Sequence, residues 1–545
     1  MRSRNAIPPR PSVFNERSLW FVIFWVTLIW SARQTGIGTG EWLNLGGLPQ
    51  VRECLSAALH PNLSGDFLRL TAEATFKTLA YAVCGTTFSL GLGCVGGIVS
   101  SEIWWRSHQT RASTENPQIW LAIRGILSIP RAIHEMVWGL FFVNIFGLDP
   151  IVGILAIALP FGAITAKVFG DILDETLREP LYALLNAGVP PAKAFLYSLI
   201  PQAFPGLLSY AFYRFECSIR SAAVLGIIGA GGLGYQLNLS LKSLRYEEMW
   251  TLLGALVLLS GMVDFWSASV RRGIGAPSRL DLNAGKLKGR SNPSSDSVRS
   301  LWIVLLLVPV SFWIVGADFG KLWQPRTYGL LGEILQAAFP PDWAELTALV
   351  PLCAQTLAMS VLAMVGAGLG AILLSFPAAI APEVGRRKLA ILLRFLFLAT
   401  RAVPPPIWAL ILLYVLLPGI LPGAIALGLY NFGILGRLMA EAIEHLDRRP
   451  AQAIAAMGAT DAQVFLYAIL PATLPGFLAY ILYRWEVCIR ATVIVGLVGA
   501  GGLGRTLAEQ LSSFDYPGVV MTLLGFAALT FGVDWVSGRV RRSLR

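Results

Sequence analysis

Two short strings in this sequence carry groups able to do chemistry, and each occurs twice. The first, YRFECSIR, sets Arg214, Glu216 and Arg220 close together, and YRWEVCIR repeats it as Arg484, Glu486 and Arg490. A guanidinium stays charged and offers a planar fork of donors that matches the oxygens of a carboxylate or phosphate-like anion. The second is GAGGLG, at Gly229, Gly231, Gly232 and Gly234 and again at Gly499, Gly501, Gly502 and Gly504. Its letters fit G-x-G-x-x-G, in which glycines let backbone amides approach a pyrophosphate. The two strings therefore raise two chemistries, oxyanion handling and dinucleotide binding.

Their setting separates the two. The 545 residues are 55% hydrophobic and only 14% charged, with mean hydropathy +0.63 and formal net charge +11. A soluble domain carries about 25% charged residues, so this balance points to a polytopic membrane protein. Each GAGGLG follows a long apolar run rather than a short strand. Glu509 falls too soon after the second copy, and Asp264 and Asp534 fall too late, for the acidic residue that a dinucleotide fold places about 20 positions on. A membrane-bound dinucleotide enzyme is thus a weak alternative. Cys54, Cys84, Cys94, Cys217, Cys353 and Cys488 form no C-x-x-C pair, and His60, His108, His134 and His445 no metal-ligand pattern. Neither a metal nor nucleic acid is expected. The first 17 residues are basic and polar, and the run after them lacks a small-residue cleavage site. It reads as an uncleaved first helix.

The sequence is a duplication. Residues 195–234 and 465–504 agree at about half their positions with a constant shift of 270. The register holds for charges upstream: Arg124 aligns with Arg394, Arg131 with Arg401, Lys167 with Arg437 and Asp171 with Glu441, and Trp138 with Trp408. Each copy offers about six apolar spans, near 18–33, 68–99, 118–147, 150–172, 204–228 and 249–270, then 299–316, 354–380, 389–417, 419–441, 474–498 and 517–538. The expected fold is an all-α integral membrane protein of two parallel repeats, 1–272 and 299–545, joined by a flexible basic linker over 273–298. Basic residues before the first span (Arg2, Arg4, Arg10, Arg17) and between spans two and three (Arg106, Arg111; Arg386, Arg387, Lys388) fall on one side. So do those in the linker region (Arg271, Arg272, Arg279, Lys286, Lys288, Arg290) and at the end (Arg539, Arg541, Arg542, Arg545), which makes that side cytoplasmic, with both termini.

Between spans four and five each copy has a polar loop read as a short helix, a glycine turn at Gly188 or Gly458, a second short helix, and a break at Pro201 or Pro471. This layout resembles the E-A-A-x3-G-x9-I-x-L-P coupling loop of permease subunits of ATP-binding-cassette importers, of the type I (methionine-permease-like) fold. Tyr182, Ala183, Gly188 and Pro201 match it in copy one, and Gln452, Ala453, Gly458, Leu470 and Pro471 in copy two. The departures are Tyr182 and Gln452 at the glutamate position, and Ser198 and Ala468 at the isoleucine position. The resemblance implies that loops 173–200 and 443–470 dock ATPase subunits. The chain has no G-x-x-x-x-G-K-[ST] string, so it binds no cofactor itself, and ATP is used by partners.

Over nearly its whole length the chain is similar to the phosphonate-importer permease family. The resemblance rests on Y-R-[FW]-E-x-x-I-R before G-A-G-G-L-G, and on R-x-[IV]-P-E-x-[VI]-W in span three. The latter is kept as Arg131, Glu135 and Trp138 with His134 for proline, and as Arg401, Pro404 and Trp408 with Pro405 for glutamate. It implies a non-enzymatic permease in a bacterial inner membrane, importing phosphonate or a related oxyanion such as phosphite or phosphate. Its partners would be two ATPase subunits and a periplasmic binding protein. A permease for methionine or a quaternary amine is the rival within transport, and an ATPase-independent channel or carrier the distant one. Two roles stand open for Arg131, Glu135, Arg401, Arg214, Glu216, Arg220, Arg484, Glu486 and Arg490. They line the anion's path, or they are ion pairs that fix helix register; Glu216–Arg220 and Glu486–Arg490 have the spacing to pair within one helix. The glycine strings, toward the periplasmic ends of the fifth spans, are either close-packing turns or an outer gate.

Overall fold

The computed structural model describes residues 16–36, 44–108, 118–274, 306–379 and 384–544. The expected linker, apart from residues 273 and 274, lies outside the described residues, as do Arg2, Arg4, Arg10, Arg111 and Arg545 and the side chains of Arg17, Arg272 and Arg386. Among the described residues there is no β-strand.

The first copy runs α1 (Glu16–Gln34), α2 (Leu48–Ala57), α3 (Gly65–Ser100), α4 (Glu102–His108), α5 (Gln118–Ala132), α6 (Glu135–Phe146), α7 (Pro150–Glu175), α8 (Glu179–Asn186), α9 (Pro191–Ala194), α10 (Ile200–Leu225), α11 (Gly232–Lys242) and α12 (Tyr246–Ile274). The second runs α13 (Leu306–Val315), α14 (Pro325–Ala337), α15 (Leu346–Ala378), α16 (Val384–Ala402), α17 (Pro405–Leu412), α18 (Ile420–Glu444), α19 (Arg449–Ala456), α20 (Asp461–Val464), α21 (Leu470–Val495), α22 (Gly502–Ser512) and α23 (Tyr516–Leu544). Seven of the described helices are long and apolar enough to cross a membrane, and three bent pairs would add one span each. Apart from α4, which has no counterpart among the described residues of the second copy, the element order of one copy recurs in the other.

The third span of each copy differs from expectation. Neither is one helix: α5 meets α6 at 82°, and α16 meets α17 at 90°. The chemistry of the break is local. Pro404 removes an amide and holds Val403 away from helical geometry. In copy one His134 sits extended and its Nδ1 accepts from Met136 N at 3.2 Å, capping α6. The carbonyls freed by each bend are reached by the aligned tryptophans. Trp138 Nε1 donates to Pro130 O at 3.3 Å and Trp408 Nε1 to Thr400 O at 3.2 Å.

The expected break at Pro201 and Pro471 does not occur. A single π-helical turn (Phe195–Leu199, Phe465–Ile469) carries α9 into α10 and α20 into α21, and each proline sits in the first turn of the longer helix. The widened turn accommodates the missing amide, and proline is at home there.

Small residues let α3 and α7 of copy one pack closely. A Cβ at Gly97 of α3 would lie 2.6 Å from Phe169 Cβ of α7, so only glycine admits this approach. Each copy lends its first helix to the other. Helix α1 packs on α15 and α23. Phe312 of α13 meets Phe88 of α3 edge to face at 5.6 Å. Beyond α13, Lys321 hydrogen-bonds Asp149 at the head of α7, which raises the lysine pKa above its ordinary value. The halves are therefore interlocked: α12 of the first packs on α16 of the second, and α6 of the first on α21 and α22 of the second.

Candidate functional site

The two expected coupling loops present their matched residues to solvent. Tyr182, Ala183 and Gly188 are exposed around α8, and Gln452, Ala453 and Gly458 around α19. Gly188 has φ +84° and Gly458 φ +85°, the left-handed geometry that ends a helix. Behind copy one's loop, Leu181, Phe195 and Leu199 are fully buried against Ile103 and the α4 helix. Phe195 meets Trp104 edge to face at 5.1 Å, so α4 stiffens this loop. In copy two Phe465 leans on Phe376 instead, at 4.9 Å.

The glycine strings form a tight turn at the opposite end of the fifth span. Gly229, Gly231 and Gly232 take φ of +105°, +85° and +76°; Gly499, Gly501 and Gly502 take +101°, +75° and +68°. The amides that a phosphate would need at the start of α11 and α22 are engaged. Leu233 N donates to Thr78 Oγ1 at 2.8 Å, and Leu503 N to Thr356 Oγ1 at 3.0 Å. Gly502 N donates to Gln355 at 3.2 Å. Gly234 and Gly504 then let α11 and α22 fold back on their fifth spans: a Cβ on Gly234 would stand 1.7 Å from Ala223 O. The geometry is that of a close-packed turn.

The charges between the halves are arranged differently from the sequence expectation. Glu216 does not pair with Arg220. Its Oε1 accepts from Ser267 Oγ at 2.7 Å and from Arg271 Nη1 at 3.3 Å, both on α12. Glu486 does the same with Ser537 at 2.6 Å and Arg541 at 2.7 Å on α23. An (i, i+4) spacing permits a pair, but here an arginine on the neighbouring helix takes the carboxylate instead. Arg271 and Arg541, expected only as flanking positive charge, are thus partners of the fifth-span glutamates. Their common shift of 270 was the available signal.

Further contacts cross between copies among the described residues. Arg401, 5% exposed, pairs with Asp264 of α12, which Arg437 also reaches at 3.0 Å. Arg490 Nη1 donates to the carbonyl of Arg131 at 2.9 Å, in the last turn of α5, where a cation complements the helix dipole. Asn144 Nδ2 donates to Leu511 O at 3.3 Å. Glu135, first residue of α6, accepts from Ser221 Oγ at 2.7 Å and lies 3.3 Å from His134 Nδ1. Arg484 places Nε and Nη2 on Asn431 Oδ1 at 3.0 and 2.7 Å. Arg214, 6% exposed, lies over the Phe161 ring at 4.1 Å. Asp264, Asn431 and Arg437 had no motif to announce them, only their place in spans that also carry aligned charges.

A sequence profile described as "Binding-protein-dependent transport system inner membrane component" matches residues 115–274 and, a second time, residues 371–545. The chain belongs to this family. It is a multi-pass permease subunit of type I ATP-binding-cassette importer architecture, and subunits of this family work with ATPase and binding-protein partners. Among its relatives, the "Phosphate-import permease protein PhnE" of Mycolicibacterium smegmatis is 27% identical over 476 residues, 86% of this chain and 84% of that one. The "Phosphite transport system permease protein PtxC" of Stutzerimonas stutzeri is 37% identical over 248 residues, 45% of this chain and 88% of that one. A solved structure, of the MetNI methionine importer in inward-facing conformations, has a TM-score of 0.33 and 22% identity, covering 38% of this chain and 98% of the matched one.

Proposed function

We propose that this chain forms the membrane pathway of an ATP-driven importer for phosphonate or a related small oxyanion, phosphite or phosphate. A periplasmic binding protein delivers the anion. Two ATPase subunits dock at 173–200 and 443–470, on the cytoplasmic face that also holds both termini. Residues 1–272 and 299–545 are the two halves of the pathway, tethered by 273–298, in a bacterial inner membrane. The chain hydrolyses no ATP of its own. ATP binding closes the ATPases, the exposed loops carry that motion into α10 and α21, and the halves rock between outward and inward openings. The glycine turns, at the far ends of those helices, serve as the outer gate.

The observation that carries the anion reading is the pair of arginines inside the first copy's fifth span, Arg214 and Arg220, neither of which has a carboxylate within ion-pair distance among the described residues. A charged group in mid-membrane is expensive and marks a substrate path by default, and guanidinium suits a tetrahedral oxyanion. The relatives named above for phosphate and phosphite support the same substrate class. A quaternary amine would meet these cations with repulsion.

The test is ATPase stimulation. The chain, assembled with its ATPases in nanodiscs, is given binding protein loaded with phosphonate, phosphite, phosphate or methionine. Stimulation by an oxyanion-loaded binding protein supports the reading; stimulation by methionine alone contradicts it.

A further inference from the structure

The two copies are unequal where each places arginine deep in its fifth span. In copy two, Arg484 is 8% exposed and satisfied by the Asn431 amide oxygen at 3.0 and 2.7 Å. The position aligned with Asn431 is Phe161. In copy one, Arg214 therefore meets a ring instead of an acceptor. It is 6% exposed, with Phe161 at 4.1 Å and the Tyr210 and Tyr213 rings at 5.8 and 5.9 Å, and its buried Nε has no hydrogen-bond partner.

The second pair repeats the difference. Arg490 gives Nη1 to Arg131 O at 2.9 Å and Nε to Glu486 O at 3.3 Å. Arg220 gives Nη2 only to Cys217 Sγ, at 3.3 Å. Among the described residues no carboxylate lies within ion-pair distance of Arg214 or Arg220. Aromatic faces attract a cation but leave its N–H donors unfilled, and a buried unfilled donor needs an explanation.

We infer that the transported anion is held on the first copy's side of the pathway, by Arg214 and Arg220, whereas Arg484 and Arg490 are structural. This rests on the oxyanion reading above. The two cations sit on one helix, about 9 Å apart along its axis, and Tyr213 and Cys217 are electrostatic neighbours of both. The second copy adds two phenols to this neighbourhood, Tyr483 as an electrostatic neighbour of Arg214 and Tyr430 of Arg220, while Asp264 acts on Arg220 from beyond ion-pair distance. Hydroxyl donors opposite guanidinium forks would hold a tetrahedral anion from two sides without adding further positive charge that would slow its release. The pathway is thus pseudo-symmetric in its helices and one-sided in its chemistry.

The experiment uses the full complex in proteoliposomes, with uptake of labelled phosphite, methylphosphonate and phosphate, and the unfolding midpoint of each variant. Arg214→Gln and Arg220→Gln are expected to cut uptake about tenfold or more, with midpoints near wild type, the loss of a hydrogen bond to a charged group. Arg484→Gln and Arg490→Gln are expected to lower the midpoint and to leave uptake per folded complex within about twofold. Phe161→Asn is the decisive variant. It keeps the Arg214 charge but supplies the amide acceptor that Asn431 gives Arg484, and is expected to reduce uptake. Equal losses of uptake in Arg214→Gln and Arg484→Gln, or unchanged uptake in Phe161→Asn, would overturn the one-sided site alone. Wild-type complex that takes up none of the three anions would overturn the oxyanion reading and this inference with it.

Discussion

Glu216 is held by Arg271, 55 residues away on the sixth span, and not by Arg220, one helical turn away on its own span. The same exchange occurs at Glu486 and Arg541. Each fifth span is therefore clamped to its sixth by a glutamate, a serine and an arginine, and Arg220 is left without Glu216 as an ion-pair partner. A short-range pair would have neutralised Arg220; the long-range pair leaves its guanidinium without an ion-pair partner among the described residues.

The two clamps differ in burial, and stability should follow. The Glu216 and Arg271 side chains are 2% and 10% exposed, against 15% and 32% for Glu486 and Arg541. Glu216→Leu strands a buried guanidinium and is expected to lose about 3 kcal/mol or more. Glu486→Leu is expected to lose about 1 kcal/mol. Chemical unfolding of the purified chain in detergent measures both, and a larger loss at Glu486 would contradict the burial argument.

Asp264 and Asp534 occupy aligned positions but different surroundings. Asp264 is shared by Arg401 and Arg437 of the other copy, whereas Asp534 is exposed and has no ion pair among the described residues. Asp264→Asn should destabilise by about 3 kcal/mol, and Asp534→Asn by less than about 0.5 kcal/mol. Comparing the unfolding midpoints of the two variants decides it; similar shifts would mean that the latch between copies contributes nothing.

The glycine turns make a steric prediction. A Cβ at Gly234 would fall 1.7 Å from Ala223 O, and one at Gly504 2.8 Å from Val493 O. A Cβ at Gly254, mid-helix in α12, would meet nothing within 4 Å. Gly234→Ala and Gly504→Ala are expected to cost about 3 kcal/mol by forcing helices apart, and Gly254→Ala to be neutral or stabilising by up to about 1 kcal/mol. Expression and midpoint of the three alanine variants test this, with equal behaviour the contradicting result.

Much of this architecture could be read from the residues. The duplication was legible because Arg124, Arg131 and Lys167 keep register with Arg394, Arg401 and Arg437, which two unrelated apolar runs would not do. The loop turns were legible because Gly188 and Gly458 end helices in the one geometry that favours glycine. The break in span three was not, since His134 and Pro404 interrupt apolar runs that hydropathy averages into one helix. The run-through at Pro201 was hidden because a π-turn is a backbone adjustment without a side-chain signature. The partners of Glu216 and Arg484 were hidden for another reason. Spacing along one helix says which residues can meet, while the neighbouring helix decides which do. Asn431 was visible only as a mismatch with Phe161.

Gly188 and Gly458 test the coupling. Both lie in open space, so a large side chain there clashes with nothing in the chain and bears only the penalty of its left-handed φ, about 1 kcal/mol. Gly188→Trp and Gly458→Trp are expected to insert and fold, and to lose ATP-driven uptake because the ATPase surface is obstructed. Normal uptake in both variants would contradict the assignment of 173–200 and 443–470 as docking loops.

The central claim, that this one chain is the two-sided pathway of an ATP-driven oxyanion importer, is tested most directly by transport itself. Labelled phosphite or methylphosphonate is offered to sealed vesicles holding the chain and its ATPases, with binding protein outside and ATP within. The account predicts saturable accumulation that needs the binding protein and ATP together. Accumulation of the anion without ATP, or of methionine or a quaternary amine with none of the oxyanions, would contradict it.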